Sequence, residues 1–188
     1  MKLGIDKFDN LVECFEKLPG VGKKSAIRYA YFVSLSDSFL GLRLANSIEN
    51  AVSGLQKCQI CGGISENEIC EICADETRNG DILCVIESSK DMLVIEQTGS
   101  YEGRYFVLED AKNIDKLTYA IERNGTKEII FALTPSINSD ALMLFLEDKL
   151  QNYGLKFSKI AQGVPTGVSL ENVDMLSIIK AIKGRMDI

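Results

Sequence analysis

The stretch CQICGGISENEICEIC, residues 58–73, contains two Cys-x-x-Cys pairs separated by eight residues. Four thiolates at this spacing can converge tetrahedrally on zinc, and the glycine pair after the second cysteine suits a tight turn. The chain has no histidine, so a protein-only tetrahedral site would be all cysteine, without an open position for a catalytic water. We therefore predict one structural Zn²⁺. Its predicted ligands are Cys58, Cys61, Cys70 and Cys73.

Disulfide bonds and a redox-active Cys-x-x-Cys are the alternatives for these cysteines. A cytosolic location disfavours disulfides, and a redox motif does not require two copies so close together. Zinc binding in comparable modules contributes about 10–16 kcal/mol, against a net stability of about 5–15 kcal/mol for a typical domain. We expect the segment to need the metal to fold. Cys14 and Cys84 lie in apolar-periodic surroundings and are predicted to be core residues.

Upstream, the stretch LPGVGKKSA, residues 18–26, separates two apolar-periodic segments and predicts two helices joined by a glycine hairpin. A phosphate-binding mononucleotide loop is excluded, because no glycine stands at the required spacing before Gly22 and Lys23 is followed by Lys24 rather than Ser or Thr. Gly20 and Gly22 permit positive φ and leave backbone N–H groups near the second helix accessible to an anion.

Two interpretations of this hairpin remain open on spacing alone. In the first, Lys23, Lys24 and Arg28 lie on the first turns of the second helix, where they grip a nucleic-acid backbone without reading its sequence. In the second, the hairpin is a plain helix connection and its lysines are solvated, since glycine ends many helices.

Composition restricts the choice of partners. The chain has 188 residues, 46% of them hydrophobic, and a formal net charge of −6. Any DNA contact must therefore use a local positive patch. Such a patch can act on an acidic chain, because screening by salt confines the effect of each charge to roughly 8–10 Å. No segment approaches twenty uninterrupted apolar residues, and the N-terminal sequence lacks the apolar core of a signal peptide. We expect a soluble, cytoplasmic protein with no membrane partner.

Downstream, the pattern is typical of an α/β fold. After Asp37, a predicted helix N-cap, residues 39–56 form a long amphipathic pattern. Short apolar runs then alternate with helical segments, which predicts a mainly parallel sheet covered by helices. The predicted strands are 82–86, 105–108, 128–133 and 156–161, and the predicted helices between them are 91–97, 114–123 and 139–153. The apolar pattern of residues 173–182 predicts a last helix. This helix could form a subunit contact or could pack against the sheet of its own chain.

The ends of these strands permit a metal-dependent enzyme hypothesis. Glu87 could act as an acid, base or ligand, and the pair Glu109 and Asp110 could help to hold Mg²⁺ against phosphate. The third strand ends in Thr134-Pro135-Ser136, which offers hydroxyls where a carboxylate pair is wanted. Asp140, the next acid, is predicted in the first turn of the following helix.

The order of LPGVGKKSA, CQIC…CEIC, ILCVIES, EQTGSYEGRYFVLE and IAQGVPTG resembles the RecR family of bacterial recombination mediators, from about residue 5 to the end. The resemblance implies four parts. These are a helical helix-hairpin-helix domain (1–54), a four-cysteine zinc finger (55–78), a Toprim domain (79–168), and a C-terminal helix and tail (169–188). Toprim is the fold that topoisomerases and primases use for Mg²⁺-dependent chemistry. The family keeps the glutamate, here Glu87, but lacks the aspartate pair.

The resemblance further implies a non-enzymatic role in DNA repair. RecR-like proteins form dimers and ring-like tetramers, act with RecO and RecF, and help to load RecA onto single-stranded DNA coated by SSB. Lys23 and Arg28 match basic positions that contact DNA in the family, and Lys24 joins them by position only. The acidic face with Glu87, Glu109 and Asp110 is a hypothetical contact for a basic partner protein.

Two departures from the family pattern stand out. The family's glycine- and proline-rich loop after the strand ending at Leu108 is missing, and Gln162 stands where many members have histidine. The first puts contacts of that loop in doubt, and the second removes a titratable group. The alternatives to a DNA-binding mediator are a Mg²⁺-dependent Toprim nuclease or primase-like enzyme, and a zinc-stabilised protein adaptor.

Overall fold

The computed structural model describes residues 4–108 and 113–184. The chain divides into two compact units, Met1–Leu55 and Gln56–Ile188. Across the two described ranges, no helix is both long enough and apolar enough to cross a bilayer.

The first unit is helical and begins with the predicted helix pair. Helix α1 spans Asp6–Glu16 and α2 spans Lys23–Tyr31. The buried residues between them are Val12 of α1 and Ala26 and Ala30 of α2. The small alanine side chains let the two helix backbones approach closely. The partly buried side chains around this centre are Phe8, Leu11, Phe15 and Val21. The prediction for Cys14 is wrong: its side chain is exposed, because no other element of the described first unit covers that side of α1.

A π-helical turn, Phe32–Ser36, connects α2 to α3, which spans Ser38–Gly54. The predicted N-cap is confirmed, since the Asp37 carboxylate accepts a hydrogen bond of 2.9 Å from the Leu40 amide. No residue of α3 is buried, although its sequence is amphipathic. Ile48 and Val52 on the apolar side are 61% and 80% exposed, so this face of α3 is uncovered.

The second unit begins with the four-cysteine segment. Strands β1 (Gln56–Lys57) and β2 (Ile64–Ser65) form a short antiparallel pair, followed by the one-turn helix α4 (Glu71–Ala74). The rest is the predicted α/β fold: four parallel strands in the order β4-β3-β5-β6. The strands are β3 (Asn79–Ile86), β4 (Gly103–Val107), β5 (Glu128–Ala132) and β6 (Lys156–Lys159).

Helices alternate with these strands, as the sequence pattern predicts. They are α5 (Ser89–Gln97), α6 (Ile114–Asn124), α7 (Ile137–Leu150) and, near the C-terminus, α8 (Met175–Lys183). The predicted helix 139–153 ends early, because its last residues form a 3₁₀ turn, Gln151–Tyr153, before Gly154 at φ +63°. Most of the apolar face of α8 is exposed, with Met175 at 77% and Leu176 at 69%.

The central strand β3 is buried on both faces. Leu83 and Val85 point into the larger core with residues of α6 and α7, whereas Cys84 and Ile86 point into a smaller core with Met92 of α5. This alternation follows from the period of two in a strand. The prediction that Cys84 is a core residue is confirmed, and burial raises the pKa of its thiol to about 12.

The two glycines of the hairpin have different roles. Gly20 has φ +77°, in the left-handed region, whereas Gly22 has φ −85° and ψ 166° and is the N-cap of α2. The expectation of positive φ is therefore confirmed for Gly20 only. A Cβ added to either glycine meets no atom within 4 Å, so the surface beside both is open.

Gly20→Ala is expected to lower the free energy of unfolding by about 1–2 kcal/mol, because an L side chain is strained at that φ. Gly22→Ala is the matched control and should change it by less than about 1 kcal/mol. Urea unfolding followed by circular dichroism checks both values. Equal destabilisation by the two variants would contradict the assignment of the turn to Gly20.

Candidate metal centre and nucleic-acid interface

The four predicted zinc ligands converge in the structure. The Sγ atoms of Cys58, Cys61, Cys70 and Cys73 all lie within 4.8 Å of one another, and all four residues are buried. Cys61 Sγ and Cys70 Sγ are 3.6 Å apart. Tetrahedral zinc with Zn–S bonds of about 2.3 Å requires sulfur–sulfur distances of about 3.8 Å, so the cluster fits the ion with small adjustments.

The first cysteine pair is held by its glycines. The Gly62 amide donates to the Cys58 carbonyl at 2.9 Å, and the Cys58 amide donates to the Gly63 carbonyl at 2.7 Å. Gly62 has φ +73°, and the Gly63 amide donates to Cys61 Sγ at 3.3 Å. A Cβ on Gly63 would lie 3.2 Å from that sulfur, so glycine is the residue that best fits beside the metal site.

The second pair is joined to the first through its backbone. The Cys70 amide donates to Cys58 Sγ at 3.3 Å, and Cys73 lies on α4, whose Ala74 amide bonds the Cys70 carbonyl at 3.0 Å. Backbone N–H···S bonds stabilise thiolates, which is what a metal ligand must be.

Mutual hydrogen bonding and burial shift the pKa values of three of the clustered cysteines. The hydrogen bond with Cys70, together with burial, raises the pKa of Cys61 to about 12. Hydrogen bonds with Cys61 and Cys70 also raise the pKa of Cys73. Hydrogen bonds with Cys61 and Cys73 lower the pKa of Cys70. A divalent cation bound by these thiolates would displace any protons they hold.

All six cysteines lie in the described part of the chain, and each is a free thiol there. The two outside the cluster, Cys14 and Cys84, lie on α1 and β3. The disulfide alternative is not supported, because the four clustered sulfurs are arranged for one ion rather than for two bonded pairs.

The hairpin cations are distributed along α2, with Lys23 and Lys24 in its first turn and Arg28 in its last turn. Lys23, Lys24 and Arg28 are exposed, and the Arg28 guanidinium lies 5.4 Å from the ring centroid of Tyr29. Lys24 and Arg28 are one helical turn apart and share a face, whereas Lys23 is offset around the axis. The N-cap Gly22 supplies no side chain to the first-turn amides, which remain available to an anion.

At the carboxyl ends of β3 and β5, the strand-end glutamate is already engaged. Glu87 Oε2 accepts a hydrogen bond of 2.7 Å from the Thr134 hydroxyl, and Glu87 Oε1 accepts one of 3.1 Å from the Thr134 amide. Ser139, in the capping box of α7, donates to the Thr134 carbonyl at 2.6 Å and fixes this loop. Asp140 lies in the first turn of α7, as predicted. Glu109 and Asp110 lie outside the described residues.

Two contacts around these sites are not predicted by the sequence. The first is the pairing of Thr134 with Glu87, which only the adjacency of β3 and β5 reveals. The second involves Arg104 of β4, whose guanidinium donates to the backbone of the four-cysteine segment. No local signal marks Arg104, because its acceptors are about 30 residues away along the chain.

The structure contains a four-cysteine metal module packed against a parallel Toprim-like sheet, and a helix-hairpin-helix unit lies earlier in the chain. This combination defines a class of zinc-containing, Toprim-fold proteins. Three family models match in this order. They describe a RecR helix-hairpin-helix (residues 8–52), a RecR four-cysteine zinc finger domain (residues 55–75) and a Toprim domain (residues 81–161).

Full-length relatives give the particular family. Proteins named Recombination protein RecR are 53% identical in a Nitratiruptor species and 50% identical in Campylobacter jejuni subsp. jejuni, each over the whole of both chains. The protein of that name from Helicobacter pylori (strain Shi470) is 44% identical over 98% of this chain and 97% of its own. The chain belongs to the RecR family of recombination proteins.

Purified protein is expected to hold one zinc ion per chain, and Cys61→Ser or Cys73→Ser to abolish stoichiometric binding, because each removes one of four thiolates. Plasma mass spectrometry of zinc against protein concentration measures the ratio. Cys14→Ser is the control outside the cluster and should keep one ion. A ligand variant that keeps its full zinc would contradict the four-cysteine site.

Proposed function

We propose that this chain is a DNA-binding recombination mediator in DNA repair that acts by binding and assembly rather than by catalysis. Its DNA-binding residues are proposed to be Gly20, Gly22, Lys23, Lys24 and Arg28. The observation that carries the proposal is the hairpin: an open glycine turn, uncapped first-turn amides of α2, and exposed cations along this short helix.

The geometry supports a grip on the phosphate backbone rather than on bases. Backbone amides and the positive end of the helix dipole attract anions of any sequence. The cation pair Lys24 and Arg28 follows one face of α2, and the Tyr29 ring beneath the guanidinium restricts where Arg28 can reach. Such contacts position nucleic acid without specifying its sequence.

A net charge of −6 argues for several copies acting together. One small patch on an acidic chain binds weakly, but the same patch repeated around a dimer or a tetrameric ring binds with avidity. The uncovered apolar faces of α3 and α8 support self-association, since exposed apolar patches of this kind are typical of interfaces. The proposed assembly is a ring-like clamp on DNA.

The proposed partners follow from membership of the family. In this proposal the chain works with RecO and RecF in the cytoplasm to help load RecA onto SSB-coated single-stranded DNA. The acidic residues Glu87, Glu109 and Asp110 are proposed to meet a basic surface of a partner protein. Charge complementarity of this kind sets partner choice and the rate of association.

The state of Glu87 supports a non-catalytic Toprim domain. Both of its carboxylate oxygens accept hydrogen bonds from Thr134, where a second carboxylate would be needed to hold Mg²⁺. A neutral partner thus holds this glutamate in place, which suits a structural or docking role.

Lys24→Ala with Arg28→Ala is expected to weaken binding to single-stranded DNA at least about fivefold, since each substitution removes a cation from the phosphate backbone. The magnitude of the slope of log K against log salt should decrease by about 0.7 for each phosphate that is no longer neutralised. The total decrease is this value times the number of subunits that contact the DNA. Fluorescence anisotropy with a labelled oligonucleotide over a salt series measures both quantities.

Lys116→Ala, an exposed cation on α6, is the matched control and should leave affinity and slope unchanged. A double hairpin variant that binds as tightly as the parent, with the same salt slope, would contradict the proposed interface. Absence of DNA binding by the parent chain in dilute buffer would favour the protein-adaptor alternative.

Pure protein is expected to neither cleave nor extend DNA in Mg²⁺ or Mn²⁺, because Glu87 lacks a carboxylate partner at the Thr134 position. Gel assays with labelled single- and double-stranded substrates check this. Metal-stimulated cleavage or synthesis that Glu87→Gln abolishes would instead establish the Toprim enzyme alternative.

A further inference from the structure

Strand β4 is at an edge of the described four-stranded sheet, and its outer side faces the four-cysteine segment. The Val107 amide, which no neighbouring strand can reach, donates to the Cys61 carbonyl at 2.8 Å. At the other end of β4, Arg104 Nη1 donates to the Cys73 carbonyl at 3.0 Å. Cys61 and Cys73 are the second cysteines of their pairs, so each pair is tied to the strand through a ligand's own backbone.

The Arg104 guanidinium bonds three carbonyls in total. Besides Cys73, it donates to Ile72 at 3.2 Å through Nη1 and to Asp75 at 2.9 Å through Nη2. These carbonyls lie on and just after the single turn of α4, a helix too short to satisfy its own C-terminal acceptors. A planar guanidinium can hold all three at once, whereas a lysine ammonium cannot reproduce that fork.

Packing joins the metal cluster to the sheet as well. The four cysteines belong to the same buried cluster as Leu83 of β3 and Phe106 of β4, and Ile72 packs against the cores on both faces of the sheet. A Cβ on Gly62 would lie 3.4 Å from the Val107 carbonyl, so glycine lets the first cysteine pair approach the strand.

An exposed edge strand offers unpaired amides to any other chain, and natural proteins cover such edges. The four-cysteine segment supplies that cover for β4, but a segment of this size is held in shape by its metal. Groups that orient metal ligands from outside the first coordination shell commonly change metal affinity 10- to 100-fold when removed.

We propose that Arg104 is a positioning residue for the zinc site, and that the metal-bound segment covers the edge of β4, so that zinc occupancy and protection of that edge are coupled. The coupling runs both ways by thermodynamic linkage. Removing the Arg104 hydrogen bonds weakens zinc binding, and removing zinc exposes the Val107 amide.

The first test compares zinc affinities of full-length variants in competition with a chromophoric chelator. Arg104→Ala is expected to lower the affinity about 10- to 100-fold. Arg104→Lys keeps the charge and most of the side chain but loses the fork, and should also weaken binding. If Arg104→Ala does not fold, the zinc affinity of Arg104→Lys is the measurement that tests the proposal.

Arg78→Ala is the matched control, because Arg78 lines the same cavity of about 440 Å³ as Arg104 but bonds Glu96 and the Gly103 carbonyl rather than a cysteine. It should destabilise the sheet and leave zinc affinity within about threefold of the parent. Parental affinity in both Arg104 variants, or an equal loss in Arg78→Ala, would overturn the proposal.

The second test is amide hydrogen exchange by NMR before and after chelation. Val107 and Leu108 are neighbours whose amides point to opposite sides, the first to Cys61 and the second to the Ile86 carbonyl of β3 at 2.8 Å. Chelation should speed exchange at Val107 at least about tenfold more than at Leu108. Equal changes at the two amides, or no change at either, would show that zinc does not protect this edge.

Discussion

The convergence of four buried sulfur atoms within 4.8 Å is the constraint on which the second unit depends. A two-stranded ribbon and a single helical turn bury too little apolar surface to fold alone. Two further groups of interactions compensate: the predicted metal, bound by four thiolates, and the edge of β4, which receives the backbone of both cysteine pairs. In the coupling that we propose, metal binding, folding of the segment and closure of the sheet edge are parts of one equilibrium.

The polar contacts at the carboxyl end of the parallel sheet and beside its edge strand β4 bear on the proposed non-catalytic role of the Toprim domain. At the carboxyl end, Thr134 occupies both oxygens of Glu87. Beside β4, both arginine side chains are engaged within the protein: Arg104 donates hydrogen bonds to backbone carbonyls, and Arg78 forms an ion pair with Glu96. The exposed cations that we propose to bind DNA are on α2 of the other unit, and the chain as a whole is acidic. Repetition of this patch in an assembly is part of that proposal.

Much of this arrangement could be predicted from local sequence. The zinc ligands, the glycine hairpin, the Asp37 cap and the pattern of each strand or helix depend on residues that are close together along the chain, within about 15 positions even for the four cysteines. Arg104 could not be found in this way, because it meets Cys73 across 31 residues, and neither could the Thr134 contact with Glu87 across 47. Periodicity also misplaced Cys14, since an apolar pattern indicates a face but not whether another element covers it. The same limit applies to α3, whose apolar face is uncovered.

The dependence of the fold on the metal is tested most directly by differential scanning calorimetry of the full-length chain, loaded with zinc and after removal of zinc by a chelator. The midpoint of unfolding for the unit that holds the sheet is predicted to fall by more than about 10 °C, since about 1 kcal/mol shifts the midpoint of a domain of this size by about 2–4 °C. A midpoint that stays within about 1 °C would contradict the account.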